Sequence, residues 1–402
     1  MLTIGIDNVS TGESTARNAP GGMRLYLQAL TREFARQRPD HRFIVFTPDW
    51  ADDLYDGAVP PAIDVVRLPG VPKNKLLRVV YQQSRYVHVL NQSRLDVFFA
   101  TATVAPLLVR PSVVLAVQFL QFFDPDTDLG VLRTAYLRRF VRWSVQRSAR
   151  VVTFSESARA DLIRWTRVRP DKVAIIPHGL SDDVWEVAEG RGPSGEGDYL
   201  TGGRPFILYV SATYPYKNHL RLIEAFANLK RAHPTNHVLL LVGSEAGISF
   251  ATLREAAHSL GVSDDVIIAG RVRHAAPLYR QAALAVIPSL SETFGYPVLE
   301  AMACGCPVVT SNCSSLAELA GDAAILVDPK DPASIAAGLE RGLFDEQERS
   351  RLTARGRERA AQYRWSRSAE ATLAVLESVA LGRPSYTGTS RAQASLDDDS
   401  TQ

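Results

Sequence analysis

Short apolar runs alternate with longer amphipathic stretches along almost all of the 402 residues. A strand buried in a parallel sheet has a continuous apolar run, and the helix that leads to the next strand has one apolar face. This alternation predicts an α/β fold built on parallel sheets. The predicted strands are 2–6, 43–47, 64–68, 96–100, 112–117, 151–154, 173–177, 206–211, 238–243, 265–270, 284–288, 307–310 and 324–328.

The alternation is interrupted at 190–205, where glycine, proline and serine dominate. That composition is typical of a linker. The sequence therefore predicts two Rossmann-like domains, 1–189 and 206–364. A last helix is predicted at 365–380, and the polar tail 383–402 has the composition of a disordered segment.

Composition limits the class of protein. Apolar residues make up 46% of the chain and the formal net charge is +2, which is typical of an ordinary globular protein. The sequence lacks the basic motifs with interspersed aromatic residues that nucleic-acid-binding domains carry, so we predict no nucleic acid partner. The first strand is predicted at residue 2, and no window reaches the roughly 18 apolar residues of a membrane span. The predicted location is the cytoplasm.

Two groups of residues invite a metal-site interpretation. Three cysteines lie close together in the sequence: Cys304, Cys306 and Cys313. No histidine accompanies them, and we interpret them as small, reduced packing residues without disulfides. Three acidic residues lie in one polar run: Asp124, Asp126 and Asp128. The adjacent Pro125 favours a turn over a metal site.

Two predicted strands, 284–288 and 307–310, flank a loop and a helix whose first residue is Pro297. Proline suits the first helical position because its missing N–H would have no partner there. The N–H groups of Val298 and Leu299 would then be unpaired at a positive dipole end, at the carboxyl edge of a parallel sheet. The sequence therefore predicts a phosphate-binding site at this helix.

Two glutamates flank the start of this helix. Glu292 precedes it, and Glu300 lies about one turn inside it. A carboxylate accepts two hydrogen bonds from vicinal sugar hydroxyls, which makes both residues candidates for binding a sugar. The alternative is that Glu300 only complements the helix dipole and that Glu292 is a solvated loop residue.

The run ETFGYPVLEAMACGCPVV, which starts at Glu292, resembles the signature of retaining GT-B glycosyltransferases of family 4. The usual form of that signature is E-x-F-G-L-P-x-x-E-A-M-A-x-G-x-P-V, and Tyr296 replaces its leucine. The resemblance implies a GT-B fold, in which two Rossmann-like domains face each other across a cleft and bind a nucleotide sugar. It also implies a reaction that needs no metal or cofactor, and a last helix that packs back on the first domain.

The same resemblance implies roles for the residues of the signature. Glu292 and the amides of Phe294 and Gly295 are expected to hold the donor sugar. Glu300 is expected to bind the ribose hydroxyls. The amides of Val298 and Leu299 are expected to face the phosphates.

The first domain resembles the family more loosely. Gly21 and Gly22 precede an amphipathic helix and resemble the glycine pair that faces the donor diphosphate in relatives, although an ordinary flexible loop is the alternative. Gln118 stands where relatives have a histidine near the donor sugar, and a neutral amide orients hydroxyls but relays no proton. His178 follows the strand predicted at 173–177. It is expected either to bind the substrate or to cap the turn.

In the second domain, Lys217 resembles the lysine that contacts phosphate in relatives. It lies just before a helix that is expected to start near His219, so its ammonium group and the helix dipole would act on one diphosphate. Many relatives have an arginine a few residues before this lysine. Arg271 or Arg273 is expected to replace it, and the sequence leaves the choice open.

Together these residues predict a retaining, metal-independent hexosyltransferase. The donor is expected to be a GDP-linked or UDP-linked hexose, and the acceptor a hydroxyl of a glycan, a lipid-linked molecule or a small molecule. Lys217, the helix amides and Arg271 would stabilise the charge on the leaving diphosphate.

The sequence leaves two other functions open and disfavours a third. One is a catalytically silent protein that binds sugar nucleotides, since a family histidine and a family arginine are replaced. Another is an enzyme of the same fold that couples a nucleotide-activated group to a sugar phosphate or small molecule. A dehydrogenase is disfavoured because neither domain has G-x-G-x-x-G after its first strand.

Two predicted helical stretches, 73–94 and 132–148, combine an apolar stripe with several basic residues. A helix that covers a sheet needs such a stripe, and its basic face would then be solvated. Alternatively, either stretch would lie on an anionic membrane surface. Peripheral contact with the inner face of the membrane is therefore among the predicted interactions.

Overall fold

The computed structural model describes residues 1–10, 22–51, 53–120, 123, 131–193 and 196–382. They form two compact units. The first contains Met1–Gly179 and the segment from Arg364 onwards, and the second contains Leu180–Tyr363. The division after Gly179 lies before the boundary predicted at residue 189, and the predicted linker belongs to the second unit. The polar tail predicted at 383–402 lies outside the described residues.

The first unit contains a parallel sheet in the order β3-β2-β1-β4-β5-β6-β7. Its strands are β1 (Thr3–Asp7), β2 (Arg42–Pro48), β3 (Ile63–Leu68), β4 (Val97–Ala100), β5 (Ser112–Ala116), β6 (Arg150–Thr153) and β7 (Val173–Ile175). Its helices are α1 (Gly22–Gln37), α2 (Lys75–Gln82), α3 (Arg85–Gln92), α4 (Val131–Arg147), α5 (Glu156–Thr166) and α15 (Trp365–Ala380). Every ladder in the sheet is parallel.

The second unit contains a parallel sheet in the order β10-β9-β8-β11-β12-β13. Its strands are β8 (Phe206–Val210), β9 (Val238–Val242), β10 (Val266–Gly270), β11 (Leu284–Ile287), β12 (Val308–Ser311) and β13 (Ile325–Val327). Its first helices are α6 (Asp182–Ala188), α7 (Gly197–Thr201), α8 (His219–Ala232), α9 (Phe250–Ser259) and α10 (Ala276–Gln281). The remaining ones are α11 (Tyr296–Ala303), α12 (Ser314–Ala320), α13 (Pro332–Phe344) and α14 (Glu346–Ala360).

Each predicted strand coincides with a strand of the structure to within two residues at either end. The reason is visible in β9, where all five residues of the run VLLLV are buried. A strand with helices on both faces of its sheet has no solvent side, so its sequence is continuously apolar. The predicted α/β fold with two parallel sheets is therefore confirmed.

Helix α15 belongs to the first unit, although the whole second unit precedes it in the chain. It packs against α1 and against the sheet at β4, β5 and β6. The hydroxyl of Ser368 donates a hydrogen bond to the carbonyl of Pro177 (2.6 Å). A Cβ atom at Gly179 would lie 2.2 Å from the backbone nitrogen of Trp365, so only glycine permits this approach.

None of the helices in the described ranges is both long enough and apolar enough to cross a membrane.

Candidate active site

The candidate site lies at the carboxyl edge of the second sheet, where β8 and β11 are neighbours. These strands follow each other in the sheet but not in the chain, since β9 and β10 lie on the other side of β8. Such a switch in strand order leaves a crevice between the connecting loops, and ligands of α/β folds bind there. The loop after β8 carries Lys217, and the loop after β11 carries Glu292.

Asn218 holds the two loops together. It adopts a left-handed conformation (φ 67°) at the start of α8. Its side-chain amide donates hydrogen bonds to the carbonyls of Pro288 (3.0 Å) and Pro329 (2.6 Å), which follow β11 and β13. The N–H of Leu290 donates to the carbonyl of Tyr216 (2.8 Å). These bonds tie the two loops to each other and to the chain after β13.

Lys217 and Glu292 form an ion pair between these loops. Their side chains are only 15% and 11% exposed. Burial by itself lowers the pKa of Lys217, but the nearby Glu292 carboxylate and the Tyr209 hydroxyl outweigh burial and leave that pKa above its usual value. Lys217 is therefore a cation at neutral pH.

The backbone around Glu292 is held by two serines of helix α12. The N–H of Glu292 donates to the hydroxyl oxygen of Ser314 (3.2 Å). The hydroxyl of Ser315 donates to the carbonyls of Glu292 (2.9 Å) and Phe294 (2.6 Å). These bonds satisfy polar groups of the loop and so hold the backbone from which the Glu292 side chain extends.

Helix α11 begins at Tyr296, one residue before the predicted Pro297. Gly295 precedes it with φ 113°, and a Cβ atom there would lie 2.7 Å from the Leu316 side chain. The N–H of Val298 donates to the carbonyl of Gly295 (3.1 Å). Val298 is therefore not the unpaired donor that the sequence predicted, because the chain turns tightly enough at Gly295 to supply an acceptor.

Glu300 lies in the second turn of α11 and is partly buried. Burial and, to a smaller extent, repulsion from Asp183 raise the pKa of Glu300 to about 7, while the Tyr279 hydroxyl opposes this change. Asp183 lies in α6, which packs against α10 and α11. The Glu300 carboxyl group therefore changes its charge near neutral pH, which the sequence did not indicate.

Arg271 and Arg273 follow β10, the edge strand of the sheet, and both are exposed. Strand β9 separates β10 from β8, which places the two backbones about 10 Å apart at the usual strand spacing. The assignment of either arginine to the donor diphosphate stays a prediction.

In the first unit, Gln118 follows β5 and is 7% exposed. Its side-chain nitrogen is buried and has no hydrogen-bond partner among the described residues. Gly22 is the first residue of α1, whereas Gly21 and the acidic run 124–128 lie outside the described residues. The expected roles of Gln118 and of the glycine pair stay predictions.

His178 lies in the core of the first unit. Its ring stacks on Phe154 (centroid distance 3.9 Å) and meets the edges of Tyr26 (4.8 Å) and Trp365 (5.6 Å). It is 4% exposed, and burial lowers its pKa to about 3. Aromatic side chains of α1 and α15 enclose the ring, and the expected contact with substrate stays a prediction.

The cysteines occupy packing positions. The thiols of Cys304 and Cys306 are buried and donate weak hydrogen bonds to the carbonyls of Ala276 (3.5 Å) and Ala282 (3.7 Å). Burial raises the pKa of the Cys304 thiol to about 12, so the thiol stays protonated. Within the described ranges, no group of three or more histidine, cysteine, aspartate or glutamate side chains is arranged to hold a metal ion.

Comparison with known proteins identifies two families. Residues 199–359 match the family described as glycosyl transferases group 1, and residues 20–184 match the family described as Glycosyltransferase Family 4. The chain is 28% identical over 257 residues to O-antigen chain mannosyltransferase B of Escherichia coli, which covers 60% of this chain and 64% of that protein. It is 32% identical over 242 residues to D-inositol 3-phosphate glycosyltransferase of Frankia alni, and this alignment covers 56% of this chain and 58% of that protein. The chain thus aligns with about three fifths of the length of these curated relatives.

Solved structures agree on the fold. Sucrose-phosphate synthase from Thermosynechococcus elongatus superposes with a TM-score of 0.73 at 20% identity, over 95% of this chain and 100% of that one. The expected resemblance to GT-B proteins is thereby confirmed for the fold. Through residues 20–184 and 199–359, which make up most of its length, the chain belongs to the glycosyltransferase families Family 4 and group 1.

Proposed function

We propose that this protein transfers a hexose from a nucleotide sugar to a hydroxyl group of an acceptor, with retention of the anomeric configuration and without a bound metal. The observation that supports this function most directly is the Lys217–Glu292 ion pair at the carboxyl edge of the second sheet. It joins a cation and a hydroxyl-binding carboxylate beside the start of α11. A nucleotide sugar needs both, since it carries a diphosphate next to a polyhydroxylated ring.

In the proposed reaction the bond between the anomeric carbon and the diphosphate oxygen breaks, and its electron pair stays on the diphosphate. The acceptor hydroxyl attacks the same face of the sugar, and its proton passes to the departing phosphate oxygen. The enzyme must therefore stabilise negative charge on the leaving group more than it needs a strong base. Lys217 supplies that positive charge, supported by Arg271 or Arg273.

The remaining residues bind and orient the donor in this proposal. Glu292 and the amides of Phe294 and Gly295 hold the sugar, while Glu300 accepts hydrogen bonds from the ribose hydroxyls. Gln118 and the Gly21–Gly22 pair of the first unit contribute to donor binding. Because Gln118 carries no titratable proton, its role is limited to orienting hydroxyls.

The donor and acceptor are proposed by class. A relative with the name mannosyltransferase supports a hexose as the transferred sugar. We propose that the donor carries this hexose on GDP or UDP. The proposed acceptor is a hydroxyl of a glycan, of a lipid-linked molecule or of a small molecule. We place the reaction in the cytoplasm.

Thermal-shift measurements with UDP, GDP, ADP and dTDP sugars test donor binding. A ligand that binds only the folded state at 100 times its Kd stabilises the protein by about 2.7 kcal/mol. We therefore expect one nucleotide series to raise Tm by several degrees. Donor hydrolysis or transfer by the same sample would exclude a catalytically silent protein. Tight binding without turnover against a broad acceptor panel would contradict the proposed transfer.

Peripheral membrane contact is a further part of the proposal, and α4 supports it. Along this helix Tyr136 and Phe140 are in ring contact (4.5 Å), as are Phe140 and Trp143 (5.4 Å). The Arg139 guanidinium lies 4.3 Å from the Trp143 ring centroid, and Trp143 is 37% exposed. Exposed Arg142 adds charge to the same helix. Aromatic rings beside arginines suit the headgroup region of an anionic bilayer.

The double substitution Arg139→Glu and Trp143→Ser is expected to weaken binding to phosphatidylserine vesicles about tenfold or more. Sedimentation with such vesicles, and with neutral phosphatidylcholine vesicles, measures the effect. Arg36→Glu, at an exposed arginine of α1, serves as the matched control and should retain binding. Equal binding of wild type and the double variant would show that α4 is not the contact surface.

A further inference from the structure

Two tyrosines beside the Lys217–Glu292 pair form a stacked aromatic surface. The rings of Tyr214 and Tyr216 lie 5.7 Å apart and within 12° of parallel. The Lys217 ammonium lies 5.3 Å from the centroid of the Tyr216 ring. Tyr216 is half-buried, whereas Tyr214 is 46% exposed. The stack therefore extends from the buried ion pair to the protein surface.

The loop that carries these rings is held rigidly. Thr213, which precedes Tyr214, donates its N–H to the carbonyl of Ser244 (3.0 Å), and its own carbonyl accepts from the N–H of Ile248 (2.9 Å). The hydroxyl oxygen of Thr213 accepts from the N–H of Ala246 (2.8 Å). Pro215 fixes the backbone between the two tyrosines. An exposed ring on a fixed loop is preordered for binding, since little conformational entropy is lost when a ligand contacts it.

The electrostatic surroundings select the ligand. Burial, the Glu292 carboxylate and the neighbouring Tyr214 raise the pKa of the Tyr216 hydroxyl, so that it stays a neutral donor and acceptor. An aromatic face is electronegative and attracts polarised C–H groups. A pyranose ring presents such C–H groups on one face and hydroxyls around its edge. The exposed Tyr214 ring is complementary to the C–H face of such a sugar. The Lys217–Glu292 pair beside the stack is complementary to hydroxyls.

We propose that Tyr214, with Tyr216 stacked against it, forms a sugar subsite, on which the C–H face of a pyranose ring rests beside the Lys217–Glu292 pair. This inference rests on the proposed function and names how a sugar is recognised there. The pyranose is either the hexose of the donor or a sugar of the acceptor, since both have the same chemistry.

The test compares Tyr214→Ala with Tyr214→Phe, which retains the stack, and with Tyr199→Ala. Tyr199 is 88% exposed in α7 and serves as the matched control for loss of a surface tyrosine. The probes are GDP, GDP-mannose, UDP and UDP-glucose, and methyl mannoside and methyl glucoside in the presence of each diphosphate. Titration gives Kd, and saturation-transfer NMR shows which sugar protons lie against aromatic side chains.

Tyr214→Ala is expected to weaken binding of a sugar-bearing probe about 3- to 10-fold, as for other aromatic contacts, and to leave the Kd of the bare diphosphate unchanged. Tyr199→Ala should bind as the wild type does, and Tyr214→Phe should lose less affinity than Tyr214→Ala because it keeps the aromatic ring. A loss confined to the nucleotide sugar assigns the subsite to the donor, and a loss confined to the methyl hexoside assigns it to the acceptor.

Two outcomes would overturn the subsite. In one, Tyr214→Ala leaves the binding of every sugar probe unchanged. In the other, it weakens the bare diphosphate as much as the nucleotide sugar, so that the ring contacts the nucleotide instead. If the proposed function is wrong, the wild type binds no nucleotide sugar at all. The methyl hexosides then test the subsite separately: binding that Tyr214→Ala weakens supports the subsite, and a wild type that binds no methyl hexoside excludes it.

Discussion

Lys217→Met is expected to lower kcat for sugar transfer by about 10²- to 10³-fold, the usual loss when one group that stabilises transition-state charge is removed. The physical reason is that the leaving diphosphate gains negative charge as the sugar departs, while Lys217 stays a cation in its buried pair with Glu292. The same change leaves Glu292 without its partner, which should cost about 3 kcal/mol of unfolding free energy. Steady-state kinetics and denaturant titration measure the two effects.

Two controls separate the chemistry from the stability. The double variant Lys217→Met with Glu292→Gln removes both charges, so it should regain stability while kcat stays low. Lys230 forms a comparable partly buried pair with Asp265 (2.8 Å) at the opposite edge of the same sheet, where β10 begins. Lys230→Met should therefore destabilise the protein without lowering kcat. Wild-type kcat in the double variant would remove Lys217 from the mechanism.

Glu300→Gln is expected to weaken nucleotide binding at pH 8 about tenfold or more, because hydrogen bonds to a charged acceptor contribute about 1.5–3 kcal/mol each. Since the pKa of Glu300 is raised to about 7, the wild-type affinity should increase between pH 6 and pH 8 as the carboxylate forms. The variant should lack that increase. Titration calorimetry across this range checks both statements, and an affinity that is unaffected by pH and by the substitution would contradict the assignment to ribose.

The Glu300 carboxyl group also makes the free energy of unfolding depend on pH, and its raised pKa sets the sign of that dependence. Between the ordinary value of 4.5 and about 7 the folded protein holds a proton that the unfolded chain releases, so stability falls as pH rises through this window. Glu300→Gln removes this fall and should stabilise the protein at pH 8 by up to about 3 kcal/mol, with little effect near pH 4. Asp183→Asn removes the repulsion and should shift the midpoint of the affinity profile to lower pH.

The sequence predicted the strands because each depends on local information. The run 238–242 is apolar at every position, and it forms a strand buried on both faces. The start of α11 was predicted to within one residue, because Pro297 suits the first turn. The family signature named Glu292 and Glu300, and a separate resemblance to relatives named Lys217, which lies just before α8.

Predictions that depended on distant partners fared differently. His178 was a candidate ligand because an exposed and an enclosed histidine look the same in a sequence. Its partners Tyr26 and Trp365 come from opposite ends of the chain. Asp183 was assigned to the first domain, whereas α6 belongs to the second unit and packs against α10 and α11. No local sequence pattern indicated that α6 packs against α10 and α11, so the raised pKa of Glu300 could not be predicted.

By itself, then, the sequence determined the strand positions and the parallel α/β class, because hydrophobic continuity and backbone preference are local properties. It also named Lys217, Glu292 and Glu300 as candidate site residues through their resemblance to the family. Only the tertiary structure decided that Lys217 and Glu292 form a partly buried ion pair, that Val298 is already bonded, that His178 is enclosed, and that Tyr214 and Tyr216 are stacked beside the pair. Burial and electrostatic fields depend on residues that are far apart in the chain, and those are brought together only when it folds.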